Sequence, residues 1–299
     1  MVKASVAKSW PGERAAVRTR ERGKRTPPIG ATMRHRPLGL AVILALPVLV
    51  WGAASCSGLA ARGADPADRQ AVIDRIISTT AKVVVERSGE RVASGSGVVV
   101  GSSAPGEEPA TFVLTAAHLI QGKPDTAVYV RFTGTVAGRG KHLARIVRRG
   151  DVDSLDLALL RVASVVLPPV SLVDPAEVRL GEEILIVGFP WGKRLALFSG
   201  IVSQVPGEAA ADGGAEERGG PSVMVDASVG NGVSGGGVYQ EATGKLLGVV
   251  EGYRTASVAL KDRTQTFSLK VPMPGETFVI AVEQIREFLK GSGIPAEAQ

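Results

Sequence analysis

A single cysteine, Cys56, stands in the 299 residues, so no disulfide can form within the chain. Histidine is almost as scarce. His35, His118 and His142 are the three present, and an imidazole acting as general base must be one of them. Aromatic residues make up 4% of the chain, which leaves few anchors for a large partner surface. Long apolar runs are missing as well. The longest candidate, residues 38–51, carries Pro47 and is shorter than the roughly 20 residues a membrane-spanning helix needs. Nothing in the sequence calls for a metal or a cofactor.

The formal charge of +6 is misleading as a guide to partners. Ten of the 35 Lys and Arg residues, but two of the 29 acids, lie in residues 1–56. The remaining 25 bases and 27 acids leave the rest of the chain near neutrality, so the basic excess makes no case for nucleic acid binding. Residues 1–32 are polar and basic without apolar periodicity, and read as a disordered leader or as sequence preceding a start at Met33. Met33-Arg-His-Arg and the apolar run 38–51 read as the positive and hydrophobic regions of an export signal. Cys56 follows Gly-Ala-Ala-Ser directly after that run. Small residues before a cysteine resemble a bacterial lipobox, although Ala53 stands where leucine is usual. The expectation is a lipidated Cys56 tethering the chain to a membrane, with ordinary signal-peptidase cleavage near Ala53–Ser55 as the alternative. A lipid anchor of several acyl chains gives stable attachment, which one chain does not.

Residues 57–67 read as a linker. Val72, Ile73, Ile76 and Ile77 recur at helical spacing within Asp68–Thr79. From Lys82 onward, short runs rich in Val, Ile and Leu alternate with Gly, Pro and Ser turns, the pattern of an all-β barrel fold. Strands are expected near 82–87, 92–100, 111–115, 126–132, 142–148, 156–162, 183–188, 196–204, 222–226, 236–240, 245–252 and 276–282, with a C-terminal helix over Glu283–Leu289. Two stretches lack strand character. Pro206–Pro221 reads as a surface loop or an activation loop, and Arg254–Met273 as a loop bordering a substrate pocket or an ordinary hairpin.

Ser234 sits in Gly-Asn-Gly-Val-Ser-Gly-Gly-Gly (230–237). A serine hydroxyl is a poor nucleophile unless a base lies beside it and backbone N–H groups hold the developing oxyanion. Glycines let the chain turn those N–H groups inward. The base candidate is His118, which ends the β-rich run Thr-Phe-Val-Leu-Thr-Ala-Ala-His (111–118) behind two alanines small enough to leave room against the ring. His35 lies in the basic leader and His142 in a polar stretch reading as a strand edge. Asp156 opens Asp-Leu-Ala-Leu-Leu-Arg-Val (156–162), and a carboxylate entering so apolar a run needs a partner. Gly232-Val-Ser-Gly-Gly236 also satisfies a nucleophile-elbow pattern, but no histidine follows Ser234, as the folds that use that elbow require. A subtilisin order fails too, because the acids before His118 lie in a linker or helix. The order His, Asp, Ser is that of the chymotrypsin-type double barrel.

These motifs together resemble a trypsin-like serine protease of the bacterial HtrA/Deg type. Thr-Ala-Ala-His (115–118) is similar to the family's histidine motif, Asp-Leu-Ala-Leu-Leu (156–160) to its aspartate motif, and Asp226 to Gly236 to its serine motif. Gly95-Ser-Gly-Val-Val-Val, Leu180 to Gly192 and Ser199-Gly-Ile-Val-Ser resemble three supporting strands, in order. The resemblance implies two six-stranded antiparallel β-barrels with a C-terminal helix. The first would span about 80–165 and the second about 176–282, within a protease domain of 68–292 followed by a tail of 293–299. It implies Ser234 as nucleophile, His118 as base and Asp156 as its orienter, an oxyanion hole formed by the N–H groups of Gly232 and Ser234, and Ser228 near the base of the pocket for the residue before the cut. A small neutral residue there argues for small or medium apolar side chains rather than Lys or Arg.

The implied function is an exported endopeptidase of the periplasm or cell envelope, acting on unfolded polypeptides in protein quality control. Departures are also present. Val233 replaces the usual Asn before the serine and Gly237 the usual Pro after Ser-Gly-Gly. Valine cannot pair with a freshly cut N-terminus, so zymogen activation of that kind is not expected. Nine residues after the last helix leave no PDZ domain to expect. Members of the family are often trimers, so a homo-oligomer is allowed, though no aromatic cluster at 60–80 supports that contact. The departures beside Ser234 keep a second reading open, a weakly active or inactive binding protein built on a protease fold. An esterase using the same nucleophile is disfavoured by the fold.

Overall fold

The computed structural model describes residues 4–7, 66–122, 124–133, 140–205, 222–261 and 266–294. Apart from Ala4–Ala7, which form a strand where a disordered leader was one expectation, the leader and lipidation expectations, including Cys56, and the Pro206–Pro221 segment lie outside the described residues.

Strand β1 (Ala4–Ala7) and helix α1 (Pro66–Ser78) precede two barrels. The first is a closed antiparallel barrel in the order β2 (Thr80–Arg87), β3 (Glu90–Ser102), β4 (Ala110–Thr115), β7 (Ala158–Ala163), β6 (His142–Arg149), β5 (Ala127–Phe132). The second runs β12 (Leu246–Lys261), β11 (Gly237–Gln240), β8 (Glu183–Gly188), β9 (Ala196–Gln204), β10 (Ser222–Val225), β13 (Thr266–Ala281), and β12 closes it by pairing with β13. Helix α2 (Val282–Leu289) follows. The fold is the expected all-β double barrel with a C-terminal helix.

Side chains that alternate along these strands fill three separate cores, because successive residues of a strand face opposite sides. Val83, Val99, Val113, Val130, Leu160 and Val162 fill the first barrel. Ile184, Ile186, Val202, Val225, Val238 and Leu247 fill the second. Residues of opposite parity, among them Val98, Leu114, Leu159, Leu185, Val187 and Tyr239, form a third layer that also takes Ile76 of α1 and Ile285, Phe288 and Leu289 of α2. Strands β4 and β8 are therefore covered on both faces, which explains why Phe-Val-Leu and Ile-Leu-Ile-Val read as continuous apolar runs rather than alternating ones. Each large aliphatic side chain buried in this way contributes about 1.5–3 kcal/mol.

Both helices are fastened at named points. Arg69 Nε pairs with Glu241 Oε1 at 2.5 Å, and Arg75 Nη2 donates to the Thr243 carbonyl at 2.9 Å, tying α1 to the turn between β11 and β12. Arg148 of β6 donates to the carbonyls of Phe288 and Lys290 at 2.7 and 3.0 Å, satisfying the open C-terminal end of α2.

Residues 254–273 take the hairpin alternative and not the loop, since β12 and β13 continue as one long hairpin. Its register, Val258 opposite Leu269 and Ala256 opposite Val271, puts apolar residues on one face and Ser257 opposite Lys270 on the other. Pro272 and Pro274 lie in β13 short of the stretch, Thr277–Ile280, that pairs with β10. A strand tolerates proline where its outer edge lacks a neighbour. Backbone pairing of β1 with Tyr253–Ala256 adds a short strand at this end.

Candidate active site

The register of β4 against β7 creates the first half of the site. Their last pair is Thr115 opposite Ala158. Antiparallel continuation brings the residues just after Thr115 against those just before Ala158. Ala117 N–H donates to the Asp156 carbonyl at 3.2 Å, and a single 3-10 turn, Ala117–Leu119, then presents His118. The Asp156 carboxylate grips the histidine twice. Its Oδ1 accepts the His118 backbone N–H at 2.8 Å, and its Oδ2 lies 2.6 Å from His118 Nδ1. Asp156 is 2% exposed, so the cost of burying its charge is offset by these bonds to one partner. With Nδ1 committed to the carboxylate, Nε2 is the nitrogen left to take up a proton.

The second half is the loop joining β10 to β11. Gly232 has φ +92° and Gly235 φ +83°, backbone that side chains rarely adopt. Space forbids a side chain at either as well. A Cβ on Gly232 would lie 2.7 Å from the Phe189 carbonyl oxygen, and one on Gly235 2.2 Å from that of Ser96. Gly235 is also the point where the barrels meet, since its Cβ position is 2.6 Å from Thr115 Oγ1 and 3.0 Å from Ala116 N, three and two residues before His118. Gly95 sits between the Leu119 side chain and the Ser234 carbonyl. Small residues at 95, 116, 117 and 235 thus let the serine loop of barrel two come against the histidine turn of barrel one. Ser234 is 5% exposed within this contact.

Residues to which the sequence reading gave no role hold the loop. Ser96, fully buried, makes four bonds. Its N–H donates to the Ser234 carbonyl at 2.9 Å, its Oγ donates to the Gly232 carbonyl at 2.9 Å and accepts Phe189 N–H at 2.9 Å, and its carbonyl accepts Thr115 Oγ1 at 2.7 Å. Tyr253 Oη donates to Asn231 Oδ1 at 2.7 Å, and Trp191 N–H donates to the Asn231 carbonyl at 2.6 Å. Every peptide here is trans. Because the Asn231 carbonyl points at Trp191, the N–H of Gly232 points the opposite way. Gly-Ser-Gly at 95–97 was visible as a motif, but the bond from Ser96 Oγ spans 136 positions and leaves no local trace.

The remaining candidates fall as follows. Ser228 is exposed, and its Oγ accepts the Gly275 N–H of β13 at 3.3 Å. His142 lies on β6, away from Asp156, with its ring 5.6 Å from that of Phe132. Trp191 is 62% exposed with φ +57°, so its backbone serves the loop while its ring stays in solvent. Val233 is fully buried in the core of barrel two, which gives the departure before Ser234 a packing reason. Gly237 is likewise required locally, because a Cβ there would lie 2.3 Å from Tyr239 Oη. Burial pushes the Tyr239 phenol up to about 12 despite the Thr79 and Thr80 hydroxyls beside it. No group of three His, Cys, Asp or Glu among the described residues is placed to hold a metal. No helix among them is long and apolar enough to cross a membrane.

Comparison with known proteins agrees with the fold. A probable periplasmic serine endoprotease DegP-like of Marinomonas sp. (strain MWYL1) is 27% identical over 163 residues, covering 54% of this chain and 30% of the relative. A probable periplasmic serine protease do/HhoA-like of Haemophilus influenzae is 27% identical over 194 residues, 65% of this chain and 37% of the relative. The chain therefore spans about a third of the length of these curated relatives. Among solved structures, the HtrA-type protease AlgW with a tripeptide superposes with a TM-score of 0.54 at 22% identity, covering 75% of this chain and 63% of that one, which shows the shared fold. The trypsin-like peptidase domain family matches residues 95–249, just over half of the chain and a span containing His118, Asp156 and Ser234, and to that family this chain belongs.

Proposed function

We propose that this chain is an exported serine endopeptidase in which His118, Asp156 and Ser234 cleave peptide bonds. The observation that carries the reading is the double grip of a buried carboxylate on His118, at 2.8 and 2.6 Å, beside a serine loop packed against the same turn. Asp156 holds the tautomer in which Nδ1 carries the proton and Nε2 accepts one. Ser234 Oγ attacks the scissile carbonyl carbon as its proton passes to His118 Nε2. The proton is then delivered to the leaving amine, and water repeats the sequence on the acyl-enzyme. The N–H groups of Gly232 and Ser234 receive the oxyanion, where one donor typically lowers the barrier by roughly 3 kcal/mol. Support for Gly232 comes from its orientation away from Trp191, imposed by the Asn231 carbonyl.

Ser228 lines the pocket for the residue preceding the cut and favours small or medium apolar side chains. The substrates are unfolded polypeptides of the periplasm or envelope, and Cys56 carries a lipid anchor. The periplasmic location rests on likeness to the DegP-like relatives, and the role in protein quality control on the resemblance of the sequence motifs to the HtrA/Deg type.

A fluorophosphonate probe applied to the purified protein tests the reading. Covalent labelling is expected, with loss in Ser234→Ala and in His118→Ala, and cleavage of unfolded casein should follow the same pattern. A folded protein that resists the probe, or labelling that survives Ser234→Ala, would sink it.

A further inference from the structure

A cluster of cations borders the serine loop and has no part in the chemistry above. Lys82 Nζ of β2 donates to the Gly192 carbonyl, and Arg91 Nη1 of β3 reaches the same oxygen at 3.3 Å. Arg131 of β5 stands directly opposite Lys82 in the register and is exposed. Lys193 and Arg194, both exposed, follow Gly192 in the chain. Burial and the charges of Arg91 and Arg131 lower the pKa of the Lys82 ammonium, so these groups do feel one another. Among the described residues no ion pair joins an acid to Arg91, Arg131, Lys193 or Arg194. Glu86 of β2 is taken by Lys141 at 2.5 Å, and Glu90 lies at the hairpin end opposite Arg87.

The cluster is close to the nucleophile. Gly192 N lies 3.0 Å from the Cβ position of Gly232, two residues before Ser234. An extended peptide advances about 3.3 Å per residue, so a substrate side chain two or three places from the scissile bond reaches this surface.

We infer that the site carries an anion-accepting subsite, formed by Arg91, Arg131, Lys193 and Arg194 around the Gly192 turn, that selects peptides with an Asp or Glu within three residues of the cut. This rests on the endopeptidase reading and specifies its substrate class. The carboxylate is drawn by several cations at once, whereas the Lys82 and Arg91 bonds to Gly192 keep the turn from moving as it binds. Attraction among partly exposed charges is modest and screened by salt.

Cleavage-site profiling of an unbiased peptide pool by mass spectrometry tests it, with the full protein and with Arg131→Glu/Lys193→Glu. Neither of the substituted side chains makes a hydrogen bond or ion pair among the described residues. The inference expects Asp and Glu to be enriched about fivefold at one position within three residues of the cut, less so at high salt, and the enrichment to vanish or turn to Lys and Arg in the variant. Cleavage without acidic preference, or a preference unchanged by the double substitution, overturns the subsite while probe labelling leaves the endopeptidase reading standing. Absence of both labelling and cleavage overturns the two together.

Discussion

The two barrels deliver their share of the site by different means. In barrel one, His118 and Asp156 come together because the ladder of β4 and β7 ends just before them, and a carboxylate then ties the turn shut. In barrel two, the Ser234 loop leaves the ladder altogether, runs through two left-handed glycines, and is held by hydroxyls reaching it from elsewhere, Ser96 from barrel one and Tyr253 from β12. A base needs only orientation, which a rigid ladder and one charged bond provide. An oxyanion hole needs backbone N–H groups turned away from any regular ladder, so the loop depends on bonds outside it.

Substitutions can break this comparison at either side. The largest effect is expected at Asp156→Asn, which keeps the shape and upsets the histidine tautomer. Turnover of an unfolded protein substrate should fall by about 10³- to 10⁴-fold with the fold intact by circular dichroism. A loss below tenfold would mean that the carboxylate is not what orients His118. Gly235→Ala comes next. Left-handed backbone and the close Ser96 carbonyl should cost at least about 2 kcal/mol in urea unfolding and abolish probe labelling. Unchanged stability would show that the two barrels do not pack at this point.

Ser96→Ala sharpens the contrast. It removes the hydroxyl bond to the Gly232 carbonyl but leaves the triad untouched. A fall in kcat of about ten- to a hundredfold with little change in KM is expected, because a disordered hole fails the transition state more than the ground state. Tyr253→Phe removes one bond further from the hole and should cost about three- to tenfold in kcat. If either variant raised KM alone, the hydroxyl would belong to substrate binding and not to the loop.

The smallest effect concerns the layer between the barrels. The Tyr239 phenol keeps its proton up to about 12 in the folded chain but ionises near 10 when unfolded. Between those values unfolding releases a proton, so stability falls as pH rises, by up to about 1.4 kcal/mol per unit. Tyr239→Phe should flatten the loss of stability measured by urea titration across that window.

Much of this was legible without coordinates. His118 at the end of an apolar run, Asp156 entering another and Ser234 among glycines are local patterns, and their order selects one fold. Strand β8 follows from four apolar residues between turns, and α2 from its 3.6-residue spacing. The hairpin at 254–273 was harder to see, because Pro272 and Pro274 signal a break unless the strand's outer edge is known to be unpaired. Val233 and Gly237 looked like weaknesses of the nucleophile motif until the barrel-two core and the Tyr239 ring supplied their reasons.

The amino-acid order by itself determined the barrel class, the helices and the residue types of the proposed triad, since strand runs, turns and motif spacing are properties of neighbours along the chain. Tertiary structure alone decided how the Ser234 loop is held and which charges stand beside it. Ser96 and Gly232, Tyr253 and Asn231, and Lys82 and Gly192 lie 136, 22 and 110 positions apart. The second contact exists only once barrel two has closed, the other two only once both barrels have packed, and a single sequence records no trace of the pairing.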